Sequence, residues 1–275
     1  MNEELRKIQL IEYDLYKELF RVCEKHGLRV FLAQGTLIGA VRYGAFIPWD
    51  DDMDVLMPYE DAQKLMEVFP KEARSDCFLT DHTVERHYPL MWKKIRARGT
   101  LSRPKRYKDI PINWGICIDI FPIYALHDGR FARRLDLFFY KTARKLLYAE
   151  MTKYEPDHGI LVRLLEKLPL GARHAAARFA ERRLLRNPPD SKYVYIPCKG
   201  GYTLERNVIF GPEATLRFED GDYPVPSDYK RFLSIVFGPD YMTPPPEDQR
   251  GGHNRNMGSI EWSCDTGDTG EGGKA

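Results

Sequence analysis

Apolar side chains at Leu5, Ile8, Ile11, Leu15, Leu19 and Val22 recur at steps of three and four. That period predicts an amphipathic helix, with Gly27 as its stop after His26. Arg29 to Ala33 is short, apolar and β-leaning, which predicts a buried strand. Gln34-Gly35-Thr36 follows as a turn, and Leu37 to Arg42 as one short helix. After Ile47-Pro48-Trp49 the chain enters Asp50-Asp51-Asp52-Met53-Asp54-Val55-Leu56-Met57, whose second half reads as a strand. Pro58 then suits the first turn of a helix, with Leu65, Met66 and Phe69 on its apolar face. Cys77–Thr80, Leu90–Arg96 and Ile116–Phe121 are further strand candidates.

The pattern changes beyond residue 130. Leu135, Phe138, Phe139, Leu146 and Leu147 fall at helical spacing in an Arg-, Ala- and Leu-rich block that Pro188-Pro189-Asp190 closes. Tyr193–Ile196 and Val208–Phe210 look like short strands. Ser227-Asp228 starts a final helix, and Gly238-Pro239 ends it. The segment after Gly258 is rich in Gly, Asp, Thr and Glu, a composition expected to stay disordered. The division expected is a core over 1–125, a helical segment over 126–190, a segment over 191–257 that completes the same domain, and a disordered tail over 258–275.

The chain has 275 residues and a net charge of +2. Nothing in that balance calls for a nucleic-acid partner. Five scattered cysteines without a Cys-x-x-Cys pair favour neither a zinc ribbon nor a disulfide framework, and fit a reducing compartment. The first residues lack the apolar run of a signal peptide, and no stretch nears the ~20 apolar residues of a membrane span. A cytoplasmic location is expected, with peripheral contact at the inner face of the membrane left open.

Chemistry concentrates in the aspartates. On a strand Asp52 and Asp54 point to the same side, roughly 6.5–7 Å apart. Carboxylates so placed repel each other unless a cation sits between them. A hard ion with oxygen ligands, Mg²⁺ or Mn²⁺, suits them. A solvated acidic turn is the plain alternative, but the run leads straight into an apolar strand. A calcium loop fits poorly, since Val55 stands at the required glycine and Asp61 at the closing glutamate. Asp119, between Ile118 and Ile120, is the expected third ligand and a candidate general base. Its alternative is a cap on the turn near Pro122.

Gly35-Thr-Leu-Ile-Gly-Ala-Val-Arg42 followed by Phe46-Ile-Pro-Trp-Asp-Asp-Asp-Met-Asp54 strongly resembles the signature of the LicD family. Lys94-Ile-Arg96 with Thr100, Ile118-Asp-Ile-Phe-Pro122 and the stretch from Phe218-Glu219 through Pro244-Pro-Pro246 to His253 extend the likeness over residues 10 to 255. Tyr43-Gly44-Ala45 and Tyr124 depart from the family pattern, in place of a basic run and an acidic residue. The resemblance implies an α+β, nucleotidyltransferase-like fold: a small mixed sheet flanked by helices, with a helical insertion and a C-terminal α/β segment. It implies transfer of a substituted phosphate, phosphocholine from CDP-choline or a polyol phosphate, to a sugar hydroxyl of a surface glycan or its lipid-linked precursor. The products of such enzymes are lipopolysaccharide, teichoic acid or capsule.

It implies Asp52, Asp54 and Asp119 as catalytic residues and ligands of Mg²⁺ or Mn²⁺. Gly35, Thr36, Arg42, Asp50, Lys94, Arg96 and His253 are then expected to bind substrate. Arg42 is open between donor phosphate and an ion pair with the aspartates. Lys94 and Arg96 share one strand face, either on substrate or solvated. Trp49 and Trp92 are candidates for packing on a base or cation, or for core packing. A metal-dependent glycosyltransferase and a non-catalytic nucleotide-binding protein of the same fold are the rivals.

Overall fold

A computed structural model of the chain describes residues 3–102, 110–152, 165, 167–250 and 261–262. Helix α1 spans Glu3–His26, with Glu3 and Glu4 in its first turn and Lys25 and His26 in its last. Those charges complement the helix dipole. Gly27, at φ 63°, supplies the left-handed residue that ends it. The apolar stripe of α1 is buried, from Ile8 through Leu15 and Leu19 to Val22.

The main sheet is built from β1 (Phe31–Leu32), β2 (Met53–Pro58), β3 (Cys77–Thr80), β4 (Lys93–Ala97) and β6 (Cys117–Leu126), in the order β1-β2-β6-β4-β3. A separate short strand, β5 (Thr100–Leu101), pairs with β11 (Glu261–Trp262). Strands β2 and β6 are parallel, and the other pairs on this path are antiparallel. A parallel pair needs a crossover, and helix α3 (Tyr59–Glu72) supplies its first element. The far end of β6 pairs with β7 (Tyr193–Ile196), which pairs with β8 (Tyr202–Glu205). Both central strands are buried along most of their length, as strands covered on two faces must be.

Helix α4 (Arg130–Thr152) and helix α5 (Leu170–Leu184) pack together over a second apolar cluster. Tyr59, Tyr124, Tyr140 and Tyr195 run through it with successive centroids 4.7, 5.2 and 5.2 Å apart. Tyr124 is thus a core residue. A hairpin of β9 (Thr215–Phe218) and β10 (Gly221–Pro224) precedes helix α6 (Tyr229–Phe237). Asp228 caps α6 by accepting from the Arg231 amide at 3.1 Å. Among the described residues no helix is long and apolar enough to cross a membrane.

Three expectations change. Residues 34–36 are already the first turn of helix α2 (Gln34–Tyr43), where a turn ahead of a helix from Leu37 was expected. Val208–Phe210 is no strand: a short 3₁₀ turn covers Arg206–Val208, and Val208 and Ile209 are buried as plugs. The strand expected over Arg29–Ala33 is only two residues long. The tail expected to be disordered lies outside the described residues, apart from Glu261 and Trp262.

Candidate active site

Helix α2 opens beside the start of β2. Its N-cap, Ala33, has no side chain to satisfy the first amides. Gln34 sits in the left-handed region at φ 47°, which a side chain rarely adopts. Its side-chain Nε2 donates to Cys198 Sγ at 2.8 Å. That contact helps hold a strained residue at the entrance of the helix.

Gly35 comes next, and its lack of a side chain is used. A Cβ there would lie 2.5 Å from Asp50 Oδ2. The Asp50 carboxylate therefore rests against the first turn of α2, where the helix dipole favours negative charge. Thr36 is buried, and its Oγ1 accepts from the Asp54 amide at 2.9 Å. The Ala33 amide donates to the Asp54 carbonyl at 3.0 Å. Both backbone groups of Asp54 are thus tied to the approach of α2.

Helix α1 holds the loop before β2. Gln9 donates to the Asp50 carbonyl at 2.8 Å and to the Ile47 carbonyl at 3.3 Å. Carboxylate oxygens of Asp50, Asp51 and Asp52 all come within 4.8 Å of one another. Asp51 is the buried member, and it was absent from the expected ligand set.

Strand register extends the charge across the sheet. Asp54 on β2 stands opposite Asp119 on β6, and Asp119 stands opposite Lys94 on β4. Three ionisable residues form one row over three strands. Lys94 donates to Asp119 and lies 3.5 Å from Cys117 Sγ. Burial pushes the Asp54 carboxyl well above its ordinary range, and Asp52, Asp119 and Asp50 push it further. Lys94 acts the other way. Burial opposes the charge of Lys94, yet Asp119 and Cys117 more than reverse this and raise its pKa.

The remaining expected residues divide. Arg96 is buried and donates to the Gly115 carbonyl at 3.0 Å, which fixes the approach to β6. Arg42 donates to the Tyr241 carbonyl and, at 3.1 Å, to that of Thr243. It ties the C-terminal segment to α2. Arg250 stacks 4.7 Å from the centroid of Trp49. Trp92 packs against Phe121 at 5.1 Å. His253 lies outside the described residues.

One neighbour was missed. Glu12 on α1 is 3 % exposed, and its carboxyl is raised first by burial and then by Asp52, Cys117, Asp51 and Asp50. Its Oε2 has no hydrogen-bond partner among the described residues. The signal was present: Glu12 follows Ile8 by four and precedes Leu15 by three, so it lies on the apolar stripe.

Residues 27–154 match the family model described as LicD/FKTN/FKRP, nucleotidyltransferase domain. The chain is 27% identical over 267 residues to the lipopolysaccharide cholinephosphotransferase LicD of Haemophilus influenzae, covering 91% of this chain and 96% of that protein. An uncharacterized protein of Rickettsia prowazekii is 36% identical over 59 residues, 22% of each chain.

Proposed function

We propose that this chain is a LicD-family protein that transfers phosphocholine from CDP-choline to a sugar hydroxyl of a lipopolysaccharide-type glycan. The observation that carries the reading is the aligned row of Asp54, Asp119 and Lys94 beside the Asp50–Asp52 cluster. The cholinephosphotransferase named above, aligned over nearly the whole chain, supports the choice of transferred group and acceptor class.

The residues fit a divalent ion. Every acidic donor here is a carboxylate oxygen, the ligand type of Mg²⁺ and Mn²⁺. The Asp54 carboxyl is burdened by three like charges, a condition that a bound cation relieves. Asp52, Asp54 and Asp119 would hold the ion, and Asp50 and Asp51, which cluster with Asp52 within 4.8 Å, are further candidate ligands. When bound, it offsets charge on the donor diphosphate and on the leaving nucleotide.

The chain's own groups do the rest. Asp50 fills the space beside Gly35, while Thr36 and Gln9 fix the backbone of the acidic segment. The acceptor hydroxyl oxygen bonds to the choline-bearing phosphorus, the bond from that phosphorus to the CMP oxygen breaks, and the hydroxyl proton leaves to a carboxylate. Asp119 is the base in this reading. Lys94 donates to Asp119 and orients its carboxylate, a role in which it acts through Asp119 and does not itself touch the reacting atoms.

A donor screen tests this. Purified protein with Mg²⁺ and a glycan acceptor is given CDP-choline, CDP-ribitol, CDP-glycerol or a UDP-sugar, and nucleotide release is followed. Release of CMP from CDP-choline alone is expected. CMP release from CDP-ribitol or CDP-glycerol instead reassigns the transferred group. Release of UDP makes the protein a glycosyltransferase.

A further inference from the structure

The α4–α5 hairpin segregates its charges. The acidic residues of these two helices are Asp136, Glu150 and Glu181, and all three are buried. Asp136 pairs with His127 at 2.8 Å and Arg183 at 3.0 Å. Glu150 pairs with His87 and Arg173, both at 2.9 Å. Glu181 faces His82 at 3.5 Å. The outer surface is left with cations and large apolar side chains.

On α4 the exposed stripe is Phe131, Arg134, Phe138, Lys141 and Lys145, at alternating steps of three and four. Phe131 is 81% exposed, Phe138 62% and, on α5, Phe179 55%. Phe139 joins the two helices, 5.7 Å from Phe138 and 5.4 Å from Phe179. Beside this aromatic cluster Arg178, Arg182, Arg183 and Arg186 line a cavity of about 310 Å³ with Phe179 and Ala175. Among the described residues no carboxylate is within ion-pair distance of Arg178, Arg182 or Arg186.

We infer that this face docks on an anionic lipid bilayer, with a phosphate headgroup among Arg178, Arg182 and Arg186 and with Phe138 and Phe179 entering the interface. Exposed phenylalanines ringed by arginines are the two components of interfacial binding: apolar insertion and attraction to anionic lipid. A cation-rich face opposes a second copy of itself, since like charges would meet. Nucleic acid would match the charge, but it leaves Phe131 and Phe138, on an outward helix stripe, without the hydrocarbon that a bilayer offers. The inference is independent of the transferase reading, because none of these residues is in the acidic site.

The test is co-sedimentation of the full chain with vesicles. Vesicles of phosphatidylcholine alone are compared with vesicles in which one quarter of the lipid is phosphatidylglycerol. Binding is expected to the mixed vesicles and not to the neutral ones. Replacing three surface cations in Arg178→Gln/Arg182→Gln/Arg186→Gln is expected to weaken partition roughly a hundredfold. Phe138→Ser/Phe179→Ser is expected to remove the binding that survives high salt. Both variants change exposed side chains, and an unaltered melting temperature confirms that they fold. No binding of wild type to mixed vesicles, or equal binding by the arginine variant, overturns the inference. So does binding to a single-stranded oligonucleotide that vesicles fail to displace, or a dimer that the phenylalanine variant dissociates.

Discussion

Gly35 and Asp50 show how little room the site leaves. In Gly35→Ala the new methyl would stand 2.5 Å from Asp50 Oδ2, so the carboxylate must move. A displacement of about 1 Å at reacting groups can cost on the order of a hundredfold in rate. The expected outcome is a loss of that size in kcat with nearly unchanged urea unfolding. Asp54 is expected to matter more: Asp54→Asn should lower kcat by about 10²–10³, the range for losing one electrostatic group from a preorganised site. Single-turnover release of CMP measures both. At this scale the sequence was informative about residue type. The paired aspartates, Gly35 and Asp119 were all legible. Two things were not. Glu12 was passed over because the period of α1 was traced through its apolar positions alone. Arg42 was assigned to phosphate or to the aspartates, whereas its hydrogen bonds go to carbonyls some two hundred residues further on. No local pattern encodes such a contact.

Between elements, the junction of α2 with β2 rests on Thr36. Its hydroxyl oxygen accepts from the Asp54 amide. Thr36→Val keeps the shape and removes the acceptor, leaving a partly buried N–H without its partner. A cost of about 1–3 kcal/mol is expected, read as a lower urea midpoint at unchanged slope. A midpoint equal to wild type would mean that the amide finds another acceptor. Element existence was largely legible here. Helices α1 and α6 follow from period and caps, and β2, β3 and β7 from short apolar runs. Register was not. Asp119 meets Asp54 on one side and Lys94 on the other only because β6 runs parallel to β2 and antiparallel to β4. Sequence alone placed Lys94 and Arg96 on one strand face but did not give Lys94 its carboxylate. The hairpin of β9 and β10 was also missed. Its motif was read as a family likeness, and the alternation of Leu216 and Phe218 with polar neighbours went unused.

Across the whole molecule, away from the acidic site, several buried charges among the described residues are held in ion pairs. Lys93 donates to Asp81 at 2.6 Å, with both residues buried. Burial alone would raise the Asp81 carboxyl, but Lys93 and Thr83 reverse this and bring it down to about 2. A depressed carboxylate contributes stability above its unfolded pKa, near 4, and loses it as pH falls through the folded value. Roughly 2 kcal/mol should therefore disappear between about pH 4 and pH 2. In Asp81→Asn that part of the acid dependence should vanish from a stability profile measured by urea unfolding. An unchanged profile would assign the acid sensitivity to other groups. Lys93→Met leaves the carboxylate buried and unpaired, so about 3–5 kcal/mol of destabilisation is expected at neutral pH.

In the function proposed, these elements assemble one site for moving phosphocholine. The most direct test is CMP release from CDP-choline in the presence of a glycan acceptor and Mg²⁺, comparing wild type with Asp54→Asn. The expected result is stoichiometric CMP and phosphocholine-modified glycan from wild type, with both lost together in the variant. CMP release at the wild-type rate from Asp54→Asn, or no release from any CDP-linked donor by wild type, would contradict the account.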